Sequence, residues 1–313
     1  NLVNTGNSDL QPDWLWLFNR DTSLTCDCKI FDSTRGAGSG NSLSASLTNG
    51  EGYNDALYGF VNAFNSDGFG VRAGSGTRWY VDRGGGGGDK YVAWQWKANG
   101  GTTSTNSDGN ISSVVQANQD AGFSIVTWTG DGSTSGKNVG HGLGAVPHMI
   151  ISKDRGGASN LPGWYVYHPV IGNTHHLTFT NAAKADAPAW GDTDPTSSVF
   201  SVGGEGAYIA TNQSSTNYVA YVFAEKQGFS KFGTYKGNEQ ADGAFVYTGF
   251  KPALVISKNA GVVTNWRMLD NKRAGYNKDN NRLSPNTATA CLLYTSDAAD
   301  EGLGVDLGGR RII

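Results

Sequence analysis

The chain has 313 residues with 24 Lys+Arg against 27 Asp+Glu, a formal net charge of −3. A nearly neutral chain lacks the clustered Lys and Arg that hold nucleic acid, so no nucleic-acid partner is expected. No apolar run approaches the ~20 residues of a membrane span, so no membrane span is expected, and no signal peptide is visible.

Forty-five Gly, with abundant Ser, Thr and Asn, imply many tight turns, while 13 Tyr, 13 Phe and 9 Trp favour strands. In chain order, the aromatic-rich, apolar stretch Trp14 to Leu17 and the stretch Lys29 to Asp32 both recur in altered form later in the chain, the second followed by a basic turn at Ser33-Thr34-Arg35-Gly36. Ser66-Asp67-Gly68 between Phe64 and Phe69 predicts a hairpin turn. Residues 99–121 are rich in Asn, Ser, Thr and Gly and read as an exposed connection. Short strands bounded by turn formers follow at 123–128, 149–151, 164–168, 177–179, 199–202 and 218–223. The last is apolar on both faces and should be a central strand buried on both sides. A helix of one or two turns is expected at most near 181–185.

A repeat organises these elements. Gly122-Phe123-Ser124 is answered by Gly228-Phe229-Ser230, and Pro147 to Lys153 by Pro252 to Lys258, about 105 residues later. Pro12 to Arg20 aligns with Pro147 to Arg155. Lys29-Ile30-Phe31-Asp32 aligns with Tyr165-Val166-Tyr167-His168 and Arg267-Met268-Leu269-Asp270, and 89–96 with 216–223. Repeats of this size are domains rather than solenoid rungs. The expected fold is therefore all-β: tandem β-sandwich (jelly-roll or lectin-like) repeats, the last one truncated. The units are 1–98 (incomplete at its start), a connection at 99–121, then 122–227 and 228–290. Residues 123–153 should superpose on 229–258.

Cys291-Leu292-Leu293-Tyr294-Thr295-Ser296-Asp297-Ala298-Ala299-Asp300-Glu301 resembles a translated frame of a transposase-type sequencing adapter, as does Val305 to Ile313. Residues 291–313 are accordingly expected to be a non-native tail, irregular or locally helical, and the chain a metagenomic fragment. The strand containing Leu254-Val255-Ile256 should then keep an unpaired edge or an exposed apolar face.

Chemistry-bearing groups are sparse. Cys26 and Cys28 lack a second pair to complete a zinc site and read as free thiols. His168, His175 and His176 read as strand-end polar residues, and Asp192 and Asp194 as Asx-turn formers. Gly84 to Gly88 lacks the Lys-Ser/Thr that cradles phosphate. No nucleophile elbow is present, and the Glu before residue 291 (Glu51, Glu205, Glu225 and Glu239) form no acidic pair. No catalytic residue, metal site or cofactor is expected, and the chain does not read as an enzyme. Trp79, Tyr80 and Trp190 are candidate exposed aromatics for stacking on a glycan.

Trp14-Leu15-Trp16-Leu17 with Asn19-Arg20, Phe31-Asp32-Ser33-Thr34-Arg35-Gly36-Ala37, Asn65-Ser66-Asp67-Gly68-Phe69, His141-Gly142-Leu143-Gly144 and Gly228-Phe229-Ser230-Lys231-Phe232-Gly233 resemble motifs of a repeat in structural proteins of tailed, often marine, bacteriophages. The resemblance covers most of 12–290 and implies a tail fibre or other virion protein assembled in the host cytoplasm. Its implied partners are other virion and tail proteins, a host-surface glycan or receptor, and further copies of itself in a homo-oligomer. Phe18 departs from the pattern, which has Lys, as at Lys153 and Lys258; a local surface contact is expected to change. The alternative reading is a lectin-like carbohydrate-binding module of a bacterial surface protein.

Overall fold

The computed structural model describes residues 2–3, 10–20, 27–76, 80–83, 88–134, 136–157, 163–203, 211–240, 242–273, 281–287 and 292–293. The first stretch carries β1 (Leu2–Val3), β2 (Trp14–Asn19), β3 (Lys29–Asp32), β4 (Leu43–Ser44), helix α1 (Asp55–Tyr58), β5 (Phe60–Asn65), β6 (Gly68–Arg72) and β7 (Tyr91–Trp96). There follow β8 (Ser104–Asn106), β9 (Ser113–Asn118), β10 (Phe123–Thr129), β11 (Lys137–Gly140), β12 (Met149–Asp154), β13 (Trp164–Tyr167), β14 (His175–His176), β15 (Ala185–Asp186), β16 (Val199–Val202) and β17 (Asn217–Phe223). The last four are β18 (Leu254–Ser257), β19 (Arg267–Asp270), β20 (Asn281–Arg282) and β21 (Leu292–Leu293). The fold is all-β, as the aromatic, turn-rich composition implied.

Two sheets dominate, one ordered β4-β3-β2-β7 and the other β13-β12-β17-β10-β9-β8. Alternation along each strand sends side chains to opposite faces. Trp14, Trp16 and Phe18 of the first sheet meet Phe123, Ile125, Val219 and Tyr221 of the second in one buried cluster. Trp14 stacks on Tyr221 with ring centroids 4.5 Å apart. Each such pair adds about 0.5–1.5 kcal/mol beyond the area it buries. The outer face of the first sheet packs Leu15, Leu17 and Phe31 against Val61, Phe69 and Tyr80. That of the second packs Val126, Trp128, Ile150 and Val222 against Val139, Trp190 and Phe200. β17 lies between β12 and β10 and is buried almost throughout, the central strand its two apolar faces predicted.

The three hairpins pair in one register. Leu15 faces Phe31, Ile150 faces Tyr167, and Val255 faces Leu269, all at positions aligned in sequence. Trp16 opposite Trp94 likewise matches Ile151 opposite Tyr221. The units are not packed as separate bodies, however. The central cluster also takes in Trp266, Met268 and Leu283 of the third.

Several expectations are corrected. Residues 99–121 are not a plain connection: they supply β8 and β9, and β9 pairs along β10 while burying Ser113 and Val115. Residues 229–235 form no strand matching β10. A strand there would need neighbours on its edges, and β10 has both β17 and β9. Among the described residues the one turn of helix lies at Asp55–Tyr58, not near 181–185, where β15 begins. Residues 177–179 contribute only an isolated bridge, Leu177 to Val166. Phe18 makes no surface contact; it is buried edge-on against Trp94, with centroids 5.6 Å apart. Of the tail 291–313, Leu292–Leu293 is a strand paired with β20, and the other residues lie outside those described. No described helix is long and apolar enough to cross a membrane.

Candidate functional site

Where the first sheet stops covering the second, the inner face of β8, β9, β10 and β17 opens to solvent. Register places Thr105, Val114 and Thr127 side by side, and Thr129 beside Asn217. These residues line a concavity of about 250 Å³ together with Ser112, Ser113, Trp128 and Arg155. Thr129 Oγ1 donates to Asn217 Oδ1 at 2.8 Å. The Trp128 ring is sandwiched into the core, stacked 5.1 Å from Tyr218, so it offers no free face.

Arg155 brings charge to the rim. Its Nε donates to Glu51 Oε1 at 2.7 Å, and the same oxygen accepts from Arg35 Nη1 at 2.7 Å. Arg35 is buried; its Nε donates to Asp32 Oδ2 at 2.5 Å, which also accepts from the Tyr221 hydroxyl at 2.8 Å. Burial opposes the Arg35 charge, but Asp32, Tyr221 and Glu51 together outweigh it and hold the guanidinium protonated. Burial pushes the Tyr221 phenol well up, so it remains a donor. The chain Arg155–Glu51–Arg35–Asp32–Tyr221 thus pins the first sheet to the second. The concavity presents hydroxyls, an amide and one guanidinium, which suit a polyhydroxylated or carboxylate-bearing ligand.

The residues singled out in sequence lie elsewhere. Tyr80 and Trp190 are buried at 1% exposure each, which corrects their reading as exposed aromatics. The Tyr80 hydroxyl donates to Asp27 at 3.0 Å with Lys29 over its ring, and Trp190 packs edge-on against Tyr167. Neither has a face left for a sugar, and Trp79 lies outside the described residues. His168 Nδ1 accepts from the Val170 amide at 3.2 Å within its own turn, while buried His176 faces the Ala187 carbonyl at 3.4 Å. Asp194 Oδ1 accepts from Asn173 at 2.9 Å, and Asp192 takes a left-handed backbone at φ 48°. Among the described residues no three His, Cys, Asp or Glu side chains gather as a metal-binding group. Cys28 is a buried free thiol facing the Trp16 indole, and Cys26 lies outside the described residues. Sequence reasoning missed Thr127, Thr129, Arg155 and Asn217. The signal was the pair of threonines two apart on a strand otherwise apolar on that face.

DUF7483, described as a domain of unknown function, matches residues 3–302, running past the boundary expected at Ala290. No curated protein and no solved structure matches the chain.

Proposed function

The chain belongs to the DUF7483 family, and from that premise we propose that it is a non-enzymatic structural segment of a tailed-phage virion, a tail fibre or appendage that contacts the host surface. The observation that carries the reading is the buried cluster that all three hairpins share, with buried ion pairs beside it, an arrangement suited to a stiff spacer. The phage motifs quoted above support the virion assignment. The buried carboxylates support a structural role: Asp32, Asp55 and Asp270 are held by Arg35, Lys29 and Arg273. Its partners in this reading are other tail proteins, further copies of the chain and a host-surface glycan or receptor.

Immunogold labelling with antibody to the purified chain tests this on phage particles from a community that carries the gene. Label on tails or appendages is expected; label confined to bacterial envelopes overturns it in favour of a bacterial surface module. The lectin-like alternative rests on the hydroxyl-lined concavity. Under that reading, glycan-array binding is lost in both Arg155→Ala and Thr129→Ala.

A further inference from the structure

We propose that the edge of β18 which no described strand occupies receives an added β-strand from a different polypeptide, not a second copy of this chain: an extended segment with the alternating aromatic and aliphatic pattern of β7 and β17. The first strand of each hairpin has a second neighbour in the other two units: β7 lies beside β2, and β17 beside β12. Among the described residues β18 pairs only with β19. Val255 is also 44% exposed, whereas Leu15 and Ile150 at the aligned positions are 0% exposed under the layers packed on their sheets' outer faces, so β18 presents an uncovered apolar face beside that edge. The part of the third unit that precedes β18 carries four exposed aromatics, Phe229, Tyr235, Phe245 and Tyr247. An apolar strand edge with such surroundings is a template for strand addition.

The contacts between units say which side chain the incoming strand carries. Trp164 of the second unit donates from Nε1 to the Ser44 carbonyl of the first at 2.9 Å. Trp266 of the third donates to the Thr178 carbonyl of the second at 2.8 Å. These acceptors are equivalent, because Leu43 faces Ile30 as Leu177 faces Val166. The central strands follow the same order. Tyr221 of the second unit reaches Asp32 of the first, whose carboxylate binds Arg35. Trp94 of the first reaches Asp270 of the third at 3.2 Å, with Arg273, itself bound to Asp270, 5.8 Å from the Trp94 ring. Second on first, third on second and first on third make a closed ring. The one central-strand contact absent from it is third on second. The aligned turn there carries His168 where the others have Asp, and Ile171 where they have Arg. The incoming strand therefore places a Tyr or Trp against His168 and Ile171, a less charged seat than the other two.

The inference stands apart from the virion reading, since it concerns how a strand is recognised and not where the protein resides. Its test titrates the full chain into a fluorescent peptide of residues 216–225 with flanking lysines, read by anisotropy. Saturable binding is expected. It should weaken at least tenfold when the peptide's equivalent of Tyr221 is Ala, or when alternate backbone nitrogens are methylated with side chains unchanged. The methylated peptide needs no altered protein, so misfolding of a variant cannot imitate the result. Equal binding of a scrambled or methylated peptide overturns the proposal. So does concentration-dependent self-association of the chain that blocks the peptide, because a second copy then occupies the edge.

Discussion

Burial of Lys153 illustrates what single residues do here. Its side chain is fully enclosed, with Nζ 3.2 Å from the Thr48 carbonyl and 5.6 Å from the centre of the Trp164 ring. Burial pushes its pKa down to about 8 from 10.5, and Asp154 offsets only part of that. Between pH 8 and 10.5 the unfolded chain keeps a proton that the folded chain has released, so stability from this residue rises with pH in that window. The shift corresponds to roughly 3 kcal/mol. From pH 8 to pH 10 the thermal midpoint of the wild type should gain on that of Lys153→Met, a difference that cancels the contributions of the other buried groups, Lys29 and Cys28; parallel profiles would show that the lysine is not the cause. Sequence marked this position through its alignment with Phe18, yet suggested a surface. Two residues as different as Lys and Phe reconcile only in a buried site with polar acceptors at one unit and an aromatic wall at the other. Tyr80 and Trp190 were misjudged for a related reason: an isolated aromatic in a turn-rich stretch carries no alternation to say which way it faces.

Elements were legible where both faces of a strand were apolar, as in β2, β12 and β17, because burial on two sides leaves a continuous signature. β9 was hidden by composition. Its apolar residues do not alternate with polar ones: Val114 is exposed, Gln116 is buried, and only Val115 and the preceding Ile111 mark the apolar face. Besides its pairing with β10 and β8, β9 is held by Gln116, which is fully buried. Its Oε1 accepts from the amides of Asn99 at 3.1 Å and Gly101 at 2.8 Å, and its Nε2 donates to Ser33 at 3.0 Å and Thr34 at 2.8 Å. Ser33 and Thr34 belong to the first unit, so one side chain ties the second sheet to the turn after β3. Gln116→Ala orphans these groups at about 1–3 kcal/mol for each one left buried. The denaturant midpoint should fall with the slope unchanged. A variant within 0.5 kcal/mol of wild type, roughly the scatter of an ordinary surface substitution, would mean that water replaces the amide without loss. The hydroxyl-lined concavity lies on the uncovered part of this same sheet, and its position depends on where the first sheet ends. Sequence spacing cannot report that.

At the scale of the molecule, local pairing was readable and global packing was not. Hairpin registers follow from alternation and turn placement, both local. How three aligned hairpins meet depends on which faces are left apolar after each pairs, and here Trp14, Ile151 and Met268 all turn toward one cluster. Trp14 stacks on Tyr221 and Phe123, and Trp16 and Trp266 both lie against Phe179. A unit cut out alone would expose these rings, and each large side chain returned to water costs about 1.5–3 kcal/mol. Several rings per unit together cost about as much as the 5–15 kcal/mol that stabilises a typical native protein. The full chain should therefore unfold in one transition, with tryptophan fluorescence and far-ultraviolet circular dichroism coinciding. The fragment 1–98 should lack near-ultraviolet dichroism and a cooperative melt. Separate transitions for the full chain, or a fragment 1–98 that melts cooperatively by itself, would return the units to the status of independent domains and make the shared cluster a contact between finished folds.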